Sequence, residues 1–347
     1  MKKSILALAF CLLVLACGEK KKEIAKMEPV AKMKVLLLDG QNNHYIWPKT
    51  TQMMKDYLEQ TGMFEVDVHR MDSIWLGFKY NKARPMPHEG YLEKYSLKNG
   101  NDVYTKEPVK SSDFSMDFSP YNLVVSNLGE QAANWPEETQ KSFENYMKKG
   151  GGLVVVHAAN NSFGQWEEYN KMIGLGAWGG RNAESGPYAY YNDKGELVVD
   201  DSEGMCGSHG KEYEFEITTR APEHPIMKGI PEKWLHTQDE MYERMRGPFE
   251  NAIILATAFA AVDVNGPPWD TDVKGTGQHV PMLMAIEYGK GKVFHTTLGH
   301  FDYSQECVGF ITTLQRGAEW AATGAVTQEI PTDFPTADKT SSRAWSK

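Results

Sequence analysis

The sequence predicts an α/β protein whose mostly parallel sheet is covered by helices on both faces and carries β-hairpin insertions. Two observations predict the sheet and a third the insertions. Short apolar runs, "VLLL" at 35–38, "LVV" at 123–125 and "LVVV" at 153–156, read as strands buried on both faces. Segments with apolar residues at helical spacing follow them over short connections, which favours parallel strands joined by helices. Later in the chain, glycine-bearing turns such as "NDKGE" and "GKG" separate alternating segments, the pattern of hairpins.

The first strand, Val35 to Leu38, ends in a turn at Gly40. Pro48 and Thr50 mark the start of the next helix, Met53, Met54, Tyr57 and Leu58 its apolar face, and Gly62 its stop. "FEVDVHR" alternates as a second strand. From Asp72 to Ser119 the pattern fails, and so long a stretch without periodicity reads as an insertion over a functional face. "YNLVVSN" is the third strand; Pro136 suits the first turn of the helix after it, with Phe143, Tyr146 and Met147 as the apolar stripe. "GLVVVHAANN" is the fourth strand and "WEEYNKMIG" another helical segment. Strands follow at "YEFEIT", "AIILATAF", "PMLMAIEY" and "KVFHTTL", then a helix from about Ser304 to Ala322. "DEMYERM" reads as a charged helix start, on which the adjacent Asp239 and Glu240 would diverge by about 100° so that one faces inward.

Lys2 and Lys3 precede the apolar run "ILALAFCLLVL", an export signal too short to span a bilayer. The "VLAC" ending resembles a bacterial lipobox, in which Cys17 becomes an acylated N-terminus. This predicts a signal peptide over 1–17, a flexible tether over 18–33, one domain over 34–324, and a tail over 325–347 that lies on the surface or is partly disordered. It also predicts a lipoprotein of the bacterial envelope, held at the outer membrane by its acyl chains with the domain on the periplasmic or surface face. A net charge of -9 argues against a nucleic-acid partner. Cys206 and Cys307 alone make no disulfide framework and are expected to stay unpaired.

In open parallel sheets, ligands bind beyond the carboxyl ends of the strands. Four such ends carry polar residues: Asp39, Asn42, Asn43 and His44; Ser126 and Asn127; His157, Asn160 and Asn161; His300 and Asp302. Any one alone reads as a cap or turn residue. Their recurrence at one end of one sheet predicts a shared pocket with groups able to transfer protons or bind a metal near neutral pH. Trp47, Trp166 and Trp178 lie near these ends and suit either sugar stacking or the core. His224, before a proline, reads as structural. "GLGAWG" has the letters of a dinucleotide fingerprint but follows a helix and opens none. The chain has no H-E-x-x-H, paired C-x-x-C or G-x-S-x-G motif.

In order along the chain, "LLLDGQNNH", "GGGLVVVHAANNSF", "GLGAWGGR", "HPIMKGIP", "DEMY", "GKGKVFHTTLGH" and "RGAEWAATG" resemble the ThuA-like domain family, named for trehalose utilisation. The resemblance implies a flavodoxin-like fold similar to class I glutamine amidotransferases. Those enzymes place a cysteine at the turn where this chain has His157, so thiol-dependent glutaminase chemistry is not expected. It also implies that His157, Glu240 and His300 meet in one pocket, as catalytic groups or as ligands of one divalent metal such as zinc. His44, Asn160, Asn161, Trp178 and Arg181 would contact the substrate. The implied activity is acid–base or metal-assisted chemistry on a small saccharide or keto-sugar. A non-catalytic carbohydrate-binding lipoprotein and a metal-dependent amidase or hydrolase are the alternatives.

Overall fold

The apolar runs at 35–38, 123–126 and 152–156 lie side by side in an eleven-stranded sheet. This computed structural model describes residues 31–75, 88–97, 103–105 and 107–347. Cys17, the signal peptide and nearly all of the tether lie outside the described residues, as does part of the insertion. In chain order the strands of the sheet are β1 (Met33–Asp39), β2 (Phe64–Arg70), β3 (Leu123–Ser126), β4 (Gly152–Val156), β5 (Tyr188–Tyr191) and β6 (Leu197–Asp200). They continue with β7 (Tyr213–Thr219), β8 (Lys233–Asp239), β9 (Ala252–Phe259), β10 (His279–Tyr288) and β11 (Gly291–Thr296). The order across the sheet is β8-β7-β9-β10-β11-β4-β3-β1-β2, and the β5–β6 hairpin joins through β10.

From β2 to β11 the neighbours run parallel. Beyond β11 the sheet grows by antiparallel hairpins, the first joined at Gly289. Alternate residues of a strand face opposite sides of its sheet, and here each side is covered. Val35, Leu37, Val125, Val154 and Phe294 pack with Met53, Met54 and Leu58 of α1 (Trp47–Gln60) and with Phe310 and Leu314 of the C-terminal helix Val308–Thr323. Leu36, Val124, Leu153 and Val155 pack on the other side with Phe143 and Met147 of α2 (Glu137–Lys148) and Met172 of α3 (Glu167–Ile173). The C-terminal helix is α4. This is the expected α/β sheet with helices on both faces and hairpin insertions.

Two local expectations change, and the tail takes one of its two expected forms. "DEMYERM" is not a helix: β8 ends at Asp239, and Tyr242–Glu243 pairs antiparallel with Ser208–His209. Alternation along β8, which buries Trp234 and His236, extends the strand to the acids. The terminal helix is broken at Cys307 into a short turn, Asp302–Gln305, and α4. The tail is ordered on the surface. Its Ser341 and Thr336 carbonyls accept from Val308 and Leu235 N–H at 2.9 and 2.8 Å, and Ile330, Phe334 and Trp345 pack on the core. No helix among the described residues is long and apolar enough to cross a membrane. Cys206 and Cys307 are both free thiols.

The close approach of α4 to the sheet depends on Gly317, where a Cβ would come within 2.2 Å of the Phe294 ring. Gly317→Ala should therefore lower the unfolding free energy by about 1–3 kcal/mol through overpacking. Urea unfolding measures this, and an unchanged midpoint would contradict the packing described.

Candidate functional site

The site is assembled from turns at the carboxyl ends of β1, β4, β8 and β11. After β1, the buried Asn42 amide donates to the Asn127 and Leu128 carbonyls, both at 3.2 Å, tying this turn to the end of β3. Its Oδ1 accepts from the His44 backbone N–H (2.8 Å) and stands 3.1 Å from His44 Nδ1. After β4, His157 takes a left-handed backbone (φ +47) and opens the turn His157–Asn161. Its Nδ1 donates to the Thr297 carbonyl at 2.6 Å, and its Nε2 accepts from the Tyr242 hydroxyl at 2.8 Å.

Asp239, at the end of β8, is fully buried and accepts from the N–H groups of Gly299 (2.7 Å), His300 (3.1 Å) and Glu240 (2.9 Å). Its other partner is His236 Nε2 at 2.9 Å. Burial opposes the charge on Asp239, but the bond to His236, its charge and the backbone donors hold the carboxyl down at about 2. Next to it, the Glu240 carboxylate faces three imidazoles: His157 Nε2 at 3.8 Å, His209 Nδ1 at 3.4 Å and His300 Nδ1 at 3.6 Å. Glu212 takes His300 Nδ1 more closely, at 2.5 Å, and also accepts from the Tyr303 hydroxyl.

The rings of His44, His157 and His300 lie 4.5–5.1 Å apart, centroid to centroid. One donor atom from each, together with a Glu240 oxygen, fall within 4.8 Å of one another. In each ring Nδ1 faces an oxygen acceptor, on Asn42, Thr297 or Glu212. This fixes the Nδ1–H tautomer and makes Nε2 the basic nitrogen, the second-sphere arrangement of histidines that bind metal. Burial pushes His157 down to about 4, so it is neutral near pH 7. The donor set of three imidazoles and one carboxylate fits a divalent cation such as zinc.

Three of these groups open onto a cavity of about 440 Å³, and His157 is buried beside them without lining it. His44, Glu240 and His300 line it together with Asn161 and Trp178 from the sequence-predicted set. Asn160 and Arg181 do not line it. The Asn160 amide stands 3.0 Å from His295 Nε2. Arg181 is buried behind the turn that follows His157, donating to the carbonyls of Asn161 (3.1 Å) and Ser162 (2.7 Å) and to Asn170 Oδ1 (2.8 Å). Trp47 and Trp166 are core residues, the first under Arg70 and the second against Trp135 and Tyr169. His224 is structural, its Nδ1 accepting from Ile226 N–H and its ring against Trp320. Asp39 pairs with Arg70 and Asp302 with Lys49.

Sequence reasoning missed five lining residues, Glu130, His209, Tyr242, Pro268 and Trp269. The one available signal was the histidine of "SHGKEYEF", just before a strand. Burial raises the Glu130 carboxyl above its usual range.

A family model described as "ThuA: Trehalose utilisation" matches residues 34–321. A crystal structure of a protein described as ThuA-like, from Parabacteroides merdae, shares 39% identity and a TM-score of 0.71, over 90% of this chain and 98% of that one. Another described as ThuA-like, from Bacteroides uniformis, has 15% identity and a TM-score of 0.48, over 85% and 94%. No curated protein matches the chain.

The site's support predicts a pH dependence. His295, fully buried, donates from Nδ1 to the Ile173 carbonyl at 2.9 Å and accepts from Asn160 at Nε2, and burial lowers it to about 4. The unfolded chain takes up this proton near pH 6.5, whereas the folded chain resists it down to about 4. Stability from this group is therefore complete above about 6.5 and declines as pH falls toward 4. Urea midpoints should drop between pH 7 and 4.5, less steeply in His295→Gln; an identical slope in the variant would exclude His295 as a source.

Proposed function

The chain belongs to the ThuA family, described as trehalose utilisation, and from that premise we propose an envelope-anchored enzyme whose pocket processes a small saccharide or its keto derivative. The observation that carries the reading is the convergence of His44, His157, His300 and Glu240, of which His44, His300 and Glu240 line an aromatic-walled cavity and His157 is buried beside them. A purely structural cluster of three imidazoles and a carboxylate beside a cavity has no evident packing purpose, and perturbed groups in clefts favour a functional site.

These four residues would hold a divalent cation, with Asn42, Thr297 and Glu212 fixing the imidazole tautomers. Such a cation would supply Lewis-acid polarisation of a sugar oxygen. Tyr242 keeps its proton, since burial lifts its hydroxyl well above the usual range, and the bond it donates to His157 Nε2 would give way when that nitrogen bound the cation. Glu130 and His209 stand at the wall of the same cavity, where a bound sugar's hydroxyls would face them. The raised Glu130 carboxyl retains a proton to higher pH than an ordinary glutamate and suits proton donation. Anchoring through an acylated Cys17 belongs to the same proposal and is supported by the "VLAC" ending.

Purified protein should turn over trehalose or its 3-keto form, and a chelator should reduce the rate. His157→Gln and His300→Gln should each lower turnover by about a hundredfold or more while keeping the wild-type circular dichroism spectrum. Elemental analysis should find near-stoichiometric metal that falls in the His157 variant. Unchanged turnover in both variants would remove the histidines from the mechanism, and saccharide binding without any turnover would make this a binding protein.

A further inference from the structure

The imidazole–carboxylate cluster leaves the aromatic wall of the cavity unexplained. Trp269 stands there with 55% of its surface exposed, more than any other exposed large apolar side chain among the described residues. Leaving such a side chain in water forfeits about 1.5–3 kcal/mol of burial. Its ring meets His209 edge-on, 4.8 Å between centroids.

The segment that presents Trp269 is braced. Asn265, wholly buried, donates to the Met241 carbonyl at 3.3 Å and accepts from Gly210 N–H at 3.4 Å, fastening the loop to the chain beside Glu240 and His209. Val264 and Asn265 N–H groups close a turn on the Ala261 carbonyl at 3.1 and 2.9 Å, and Gly275 N–H returns to the Val262 carbonyl at 3.0 Å. Pro267 and Pro268 fix φ immediately before the indole. A surface held this way loses little freedom when a ligand lies on it.

Trp178 is the second aromatic group lining the cavity. Its backbone is left-handed (φ +45), a conformation costing about 1–3 kcal/mol for a bulky residue. Its ring packs edge-on against Tyr242 at 5.0 Å and over Gly207, where a Cβ would come within 2.8 Å of the indole. Asn161 supplies polar capacity beside it: the residue is buried, lines the cavity, and its Oδ1 has no hydrogen-bond partner among the described residues. Braced apolar rings next to an unsatisfied amide oxygen match a pyranose, with its flat C–H face and rim of hydroxyl donors.

We infer that Trp269, with Trp178, forms a ring-stacking subsite for the C–H face of a pyranose, separate from the His44, His157, Glu240 and His300 cluster. The inference rests on the saccharide reading of this cavity and adds a residue that sets affinity without touching the reacting atoms.

The test titrates full-length protein with trehalose and with 3-ketotrehalose by calorimetry, alongside kinetics and metal analysis. Trp269→Ala should raise Kd and KM about tenfold with kcat unchanged, the loss of one stacked ring. Metal content should stay at the wild-type level, and Trp269→Phe should recover part of the affinity. Wild-type Kd and KM in Trp269→Ala would overturn the inference alone, as would a fall in kcat at unchanged Kd. A wild-type protein that neither binds nor turns over either saccharide would overturn the saccharide reading and this inference with it.

Discussion

The site is built around one buried carboxylate. Asp239 accepts from His236 and from the backbone N–H groups of Glu240, Gly299 and His300. A charge withdrawn from water costs several kcal/mol unless it is paired and its lone pairs are satisfied, and here both conditions hold. The charged partner, His236, is held at about 10: burial opposes its charge, and Cys307 and Asp239 outweigh it. Because Glu240 and His300 are bonded through their own backbones to the same carboxylate, their relative position is fixed by Asp239 and does not depend on their side chains. In sheet order, β8 and β11 are separated by β7, β9 and β10. The carboxylate closes that separation at the carboxyl end.

This places the candidate site at the junction of two kinds of sheet. The histidines of the cluster follow parallel strands: His44 after β1, His157 after β4, His300 after β11. The groups that face them come from the antiparallel extension and its loops: Glu240 after β8, Tyr242 and His209 on a short ladder, Trp269 between β9 and β10. Parallel strands buried on both faces are rigid supports whose ends share one edge. Hairpin loops vary in length without disturbing that edge. The division of labour follows: fixed imidazoles below, and a rim whose shape the loops determine.

Those supports also explain what the sequence could convey. Strands β1, β3 and β4 were legible because residues buried on both faces must be apolar, and the helices because one stripe of each must be. The polar residues at the strand ends were legible as a group. Their individual directions were not, since Asn160 turns toward His295 and Arg181 toward backbone carbonyls through partners distant in sequence. Glu240 was found in the wrong local setting, because adjacent acids suit a helix start as well as a strand end. Glu130 and Trp269 lie in irregular chain and His209 on a two-residue strand, where no periodicity directs a reader. Trp269 in particular is exposed, so none of the constraints that make core residues predictable apply to it.

His157 brings these threads together. A histidine at φ +47 stores strain of about 1–3 kcal/mol, which persists only where the surroundings determine the conformation more strongly than the backbone resists it. Two hydrogen bonds hold the ring, to the Thr297 carbonyl and from Tyr242, while Arg181 grips the Asn161 and Ser162 carbonyls just beyond it. Arg181 thus serves the site through the backbone, holding the turn from which the histidine projects. The sharp turn after a central strand aims one side chain at the ligand edge of the sheet whatever that side chain is. An imidazole there, neutral and with its tautomer fixed, presents one basic nitrogen toward Glu240. The fold therefore supplies the direction, and the side chain at that turn supplies an imidazole held by Thr297 and Tyr242.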